Sequence, residues 1–106
     1  MAWLYLAIAG VLEIIWAVGL KYSEGFSKPL ASTVTLVAMA ASMWFLALAL
    51  KQIPIGTGYA VWVGIGAVGT AILGIALFGE SAAWPRVACI GLILAGIVGL
   101  KLTSPA

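Results

Sequence analysis

One residue in this sequence is out of place for its surroundings: Glu13, ten residues after Trp3 in the middle of an apolar run. On a helix that spacing carries it about 15 Å from the start, to the mid-depth of a hydrocarbon layer. A carboxylate there costs at least about 3 kcal/mol unless it is paired, protonated or facing an aqueous cavity. No Lys or Arg is expected at its depth, so a fixed internal ion pair is not available. Burial disfavours the charged form and a bound cation favours it, so protons and cations compete for one site. Joined to alternating exposure on the two sides of the membrane, that competition is enough to couple proton entry to cation exit. The plainer alternative is a neutral glutamic acid that hydrogen-bonds across helices as glue.

The residues that would stand beside Glu13 on its own helix are Ala9, Gly10, Trp16 and Ala17, small side chains plus one indole. That face leaves room for a ligand next to the carboxylate. Trp16 can offer a π face to a cation or simply wall the site. In the second apolar segment Ser42 lies seven residues after Thr35, on the same face. Its hydroxyl can donate to a carboxylate or accept from a guanidinium, or bond back to its own helix. Tyr59 and Trp62 in the third segment, three residues apart, present an OH and an NH on one face. Packing is the competing reading for both.

Composition decides what positions these groups. The chain is 65% hydrophobic and only 8% charged, with a mean hydropathy of +1.25, whereas a soluble domain carries about 25% charged residues. The bilayer must be the solvent. Four apolar segments emerge, at about 3–20, 30–50, 55–78 and 85–102, and together they make residues 1–106 a single transmembrane domain. Their hydrophobicity is continuous rather than alternating, which selects helices over a barrel and gives an all-α membrane protein. The first segment has no Lys or Arg before it and an acid at its centre, so it reads as a retained span and not a signal peptide. There is no histidine, and Cys89 stands alone; no metal site, cofactor site or catalytic set is expected, and the chain does not read as an enzyme. A net charge of +2 gives no nucleic-acid surface.

The joints are short and force neighbouring helices to run antiparallel. Pro29 and Pro85 stand where helices open, a tight turn falls at 51–54, and Glu24 and Glu80 fall in loops. Trp3, Tyr5, Tyr22 and Trp84 lie near the expected boundaries, where amphipathic rings favour the interface. Lys51 and Lys101 fall on one side, Lys21, Lys28 and Arg86 on the other, so charge scarcely chooses an orientation. Either the orientation is weakly biased or both orientations insert and pair. Gly91, Ala95 and Gly99 form a small-residue stripe suited to close packing, within the subunit or between subunits. The glycines of the third segment invite a bend near Gly64 and Gly66.

Two stretches carry a wider resemblance. Gly10 to Phe26, with Glu13-Ile-Ile-Trp16-Ala17, and Ile53 to Gly69, with Gly58-Tyr59-Ala-Val-Trp62-Val63-Gly64-Ile-Gly66, resemble the small multidrug resistance family of bacterial inner-membrane transporters, and within it the guanidinium exporter subtype. The resemblance covers nearly the whole chain. It implies an antiparallel homodimer of dual-topology subunits that exchanges guanidinium for protons at a site built from both copies of Glu13. It further implies that Trp16, Ser42, Tyr59 and Trp62 line the site or orient the carboxylates, and that the third helix bends at Gly64 and Gly66. Gly58 replaces an alanine common in the family, and Val63 stands where a threonine or serine usually follows the tryptophan, removing a hydroxyl from near the site. Rival readings are a broader exporter of quaternary ammonium or polyaromatic cations, an uncoupled proton leak, and a non-transporting assembly subunit that uses the Gly91/Ala95/Gly99 stripe.

Overall fold

The computed structural model describes residues 1–103. Among these, four helices follow in order: α1 (Ala2–Tyr22), α2 (Pro29–Ala49), α3 (Ile55–Phe78) and α4 (Trp84–Thr103). Each is long and apolar enough to cross a membrane; the shortest, of 20 residues, spans about 30 Å, one hydrocarbon thickness.

The ends of the helices follow local chemistry. Ser23 ends α1: its Oγ donates to the Leu20 carbonyl (2.7 Å) and accepts the Phe26 N–H (3.1 Å). The chain then reverses through Glu24, Gly25 and Phe26, all with positive φ. Lys28 is extended before Pro29, as a residue preceding proline must be, and proline's missing N–H costs nothing in a first helical turn. Gly79, at φ 66°, stops α3 in the left-handed conformation that glycine adopts without a Cβ penalty.

α1 is the central helix. It packs along α2 and α3, α2 barely meets α3, and the backbone of α4 lies against α3 alone. The core gathers Ala2, Leu6 and Ala9 of α1, Leu46 and Ala49 of α2, Ile53 of the turn, and Val61 and Trp62 of α3. Cation–π contacts mark the two ends: Lys101 Nζ lies 4.7 Å from the Trp3 ring centroid, and Lys21 Nζ lies 5.3 Å from that of Phe78. The Cα envelope measures 42 × 34 × 17 Å. The protomer is thus flattened in one direction, and many of its large apolar side chains, Val11, Trp44, Tyr59 and Leu92 among them, are exposed.

No residue of α4 is buried. A Cβ on Gly91 or Gly99 would meet nothing within contact distance, so the α4 stripe is not used for packing inside the protomer.

A buried polar chain ties the three core helices together. Trp62 Nε1 donates to Ser42 Oγ (3.0 Å), and Ser42 Oγ donates to the Ala9 carbonyl (2.7 Å). One hydroxyl thus satisfies an indole on α3 and a carbonyl on α1. Ser42→Ala removes both bonds and leaves the Trp62 N–H buried without a partner. It is expected to destabilise the protein by about 1–2 kcal/mol in denaturant unfolding from micelles, whereas Ser32→Ala, which removes a hydroxyl with no partner, costs less.

Candidate functional site

Glu13 sits midway along α1 and points into its seam with α3. The seam is built from glycines facing large side chains: Ile65 of α3 lies against Gly10 of α1, and Glu13 and Ile14 of α1 lie against Gly66 and Gly69 of α3. A Cβ on Gly66 would fall inside the Glu13 carboxylate. The acid therefore enters the seam because the residue opposite it has no side chain.

The carboxylate and the Trp16 ring share a cavity of about 250 Å³, walled also by Ala17, Val63, Gly66, Ala67 and Thr70. Within it Glu13 Oε1 and Trp16 Nε1 are both shielded from solvent and have no hydrogen-bond partner among the described residues. One is an acceptor and the other a donor, and no basic group among the described residues pairs with Glu13. An unpartnered buried acceptor is unfavourable by itself, which marks a place where a ligand's N–H or a partner's donor can be taken up. Val63 and Ala67 are exposed, so the cavity opens on the outer face of the protomer.

The sequence-predicted residues fall into two groups. Glu13 and Trp16 stand together, one turn apart on α1. Ser42 and Trp62 are tied to the turn before Glu13, where Trp62 Nε1 donates to Ser42 Oγ and Ser42 Oγ donates to the Ala9 carbonyl. Within the protomer neither donates to the Glu13 carboxylate. Tyr59 lies against Trp62, ring centroids 5.6 Å apart, but it is 54% exposed while Trp62 is 6% exposed. Tyr59 thus faces outward. α3 is helical without interruption through Gly64 and Gly66; Gly64 makes room for Ile97 and Ile93 of α4, and Gly66 for Glu13. Thr70 was not singled out from the sequence. Its position four residues after Gly66, on the same helix face, is the signal that could have found it.

Residues 1–93 match the profile of the Small Multidrug Resistance protein family. The chain belongs to the small multidrug resistance family. Proteins named guanidinium exporter resemble it closely. The one from Yersinia pseudotuberculosis is 67% identical over 104 residues, covering 98% of this chain and 100% of that protein. Those from Salmonella typhimurium and Escherichia coli are 57% and 58% identical, covering 98% of this chain and 99% of each relative. Family membership and four apolar helices together make this a multi-pass membrane protein.

The seam predicts a specific sensitivity. Gly66→Ala should expel the carboxylate from its recess, and Glu13 should then react several-fold faster with a hydrophobic carbodiimide, read as mass gain at that residue. Gly56→Ala, in the same helix but with open space around it, should leave the rate unchanged.

Proposed function

We propose that this chain is a proton-coupled antiporter that exports guanidinium, and small substituted guanidinium ions, across the bacterial inner membrane. The observation that carries the reading is that the unpartnered Glu13 Oε1 and an unpartnered indole N–H belong to residues lining one cavity, midway along α1. The names of the relatives give the cargo. A deprotonated carboxylate accepts N–H groups from a planar cation whose fork matches it in geometry. Protonation removes that acceptor, so cargo and protons exclude one another. Trp16 walls the cation, and the methyl groups of Val63 make its cavity less polar than a hydroxyl would.

The working unit is an antiparallel homodimer of dual-topology subunits. Two features support it: a Glu13 cavity open on the outer face of the protomer, and an α4 stripe of Gly91, Ala95 and Gly99 with no use inside the protomer. Two Glu13 cavities facing each other form one chamber, toward which the exposed Tyr59 of either subunit can turn, while the buried Ser42–Trp62 pair holds the helix that carries Glu13. A bend at Gly64 and Gly66 lets α3 exchange the open and closed ends.

Two measurements test this. Proteoliposomes with an imposed proton gradient should accumulate guanidinium, and Glu13→Gln should reduce uptake to the background of empty vesicles; no uptake, with the variant equal to wild type, would refute the assignment. Guanidinium added to purified protein should release protons. Apparent affinity should weaken toward acid pH, by up to about tenfold per pH unit for each proton displaced, and proton release should vanish at alkaline pH, where the carboxylates are already bare. Gly91→Leu meets nothing in the protomer, so it should lower the dimer fraction in crosslinking while leaving monomer helicity intact.

A further inference from the structure

The groove that holds Glu13 continues past it. Ala17, Ala67 and Thr70 wall the Glu13 cavity and also a second one, of about 350 Å³, that reaches the connection between α3 and α4. Along α3, Gly66, Thr70 and Gly74 recur every fourth residue on one face, about 6 Å apart along the axis. A Cβ on Gly66 would strike the Glu13 carboxylate, and one on Gly74 would strike that of Glu80. The same device is therefore used twice. At each end of one groove a glycine of α3 admits a carboxylate, and Thr70, which lines both cavities, lies between the two glycines on α3.

Glu80 is held in place from two directions. The left-handed turn at Gly79 folds the chain back, and the Glu80 N–H donates to the Gly74 carbonyl (3.2 Å). Its carboxylate accepts a hydrogen bond from Arg86 Nη2 (2.6 Å), and Arg86 is the single arginine of the sequence. The chemical group proposed above as cargo is thus already bound, as a side chain, at the mouth of the groove. The pair is partly exposed, 36% for Arg86 and 40% for Glu80, and such pairs contribute little. A free guanidinium ion, with the same planar set of donors, can compete for the carboxylate. Lys21 shares this mouth and adds positive charge, which keeps a second cation weakly held. Weak holding suits a station that must release what it takes.

We propose that Glu80 is an outer binding station for guanidinium-class cations, held by Arg86 until a free cation displaces that side chain, and in line with Glu13 through Thr70. The transit role rests on the export function proposed above; the binding itself does not.

Because the sequence has one arginine, every labelled arginine side-chain Nε NMR signal of the full-length protein in bicelles belongs to Arg86. Guanidinium chloride should shift that signal at concentrations where potassium chloride does not, in wild type and in Glu13→Gln alike, and not in Glu80→Gln. An equal response to both salts, or an undiminished guanidinium response in Glu80→Gln, overturns the station. In transport at low guanidinium, Glu80→Gln should slow uptake several-fold and Arg86→Gln should speed it. A purely structural tie predicts that both variants, which break the same pair, change uptake in the same direction, and that outcome overturns the transit role. A guanidinium-shifted Arg86 signal in a protein that shows no uptake and no proton release would instead refute the export function and leave the outer site standing.

Discussion

Everything at the centre of this protein depends on one steric condition: a carboxylate can enter the seam between two packed helices only where the facing helix has no side chain. Glu13 meets Gly66, and the same seam has Ile65 against Gly10 and Ile14 against Gly69. Gly10 is on α1 and Gly66 and Gly69 are on α3, so each helix supplies both knobs and recesses and the two approach closely there. Close approach is the usual use of small residues in membranes, where hydrophobicity gives no preference for helix over lipid. Here it also sets the depth of the acid and shields one of its oxygens from water.

The polar groups divide into a part that is satisfied and a part that is not. Trp62, Ser42 and the Ala9 carbonyl close on one another and fasten α3, α2 and α1. Glu13 Oε1 and Trp16 Nε1 are left without partners. A buried polar group in lipid is retained at a cost, and two of the three unpartnered side-chain atoms among the described residues belong to this cavity, the third being Ser32 Oγ. Ala9 belongs to both parts. It accepts from Ser42 and lies one turn before Glu13, so a shift of α2 or α3 that disturbs the bond is felt at the helix carrying the acid.

Much of this was legible in the sequence, for identifiable reasons. The four apolar segments become helices because backbone groups in lipid have no other partner, and their ends fall at prolines, glycines and Ser23, which have their own local preferences. Glu13 and Trp16 could be paired on one face from helical spacing alone. What spacing could not give is the register between helices. α3 contains too many glycines for their number to show which one faces an acid, so Gly66 read as a bend and its use as a recess was hidden. Ser42 and Trp62 were recognisable as polar residues at the right depth, but the direction of their hydrogens depends on where the Ala9 carbonyl lies. Glu80 looked like an ordinary loop acid, because its recess at Gly74 exists only once Gly79 has turned the chain back.

α4 shows how far the protomer alone can go. Its start is tied to Glu80 through Arg86, its middle rests on Gly64 through Ile97 and Ile93, its end reaches Trp3 through Lys101, and none of its residues is buried. An apolar helix with no buried residue is at ease in lipid, so exposure by itself asks for no partner. The spacing of its small residues adds a condition that lipid does not impose. Gly91 and Gly99 lower helix propensity by about 1 kcal/mol each relative to alanine, and inside the protomer nothing approaches closely enough to require them. Flexible lipid chains would pack as well against alanine or leucine. A second rigid backbone would not, and the stripe is the one feature of α4 whose cost that contact would offset.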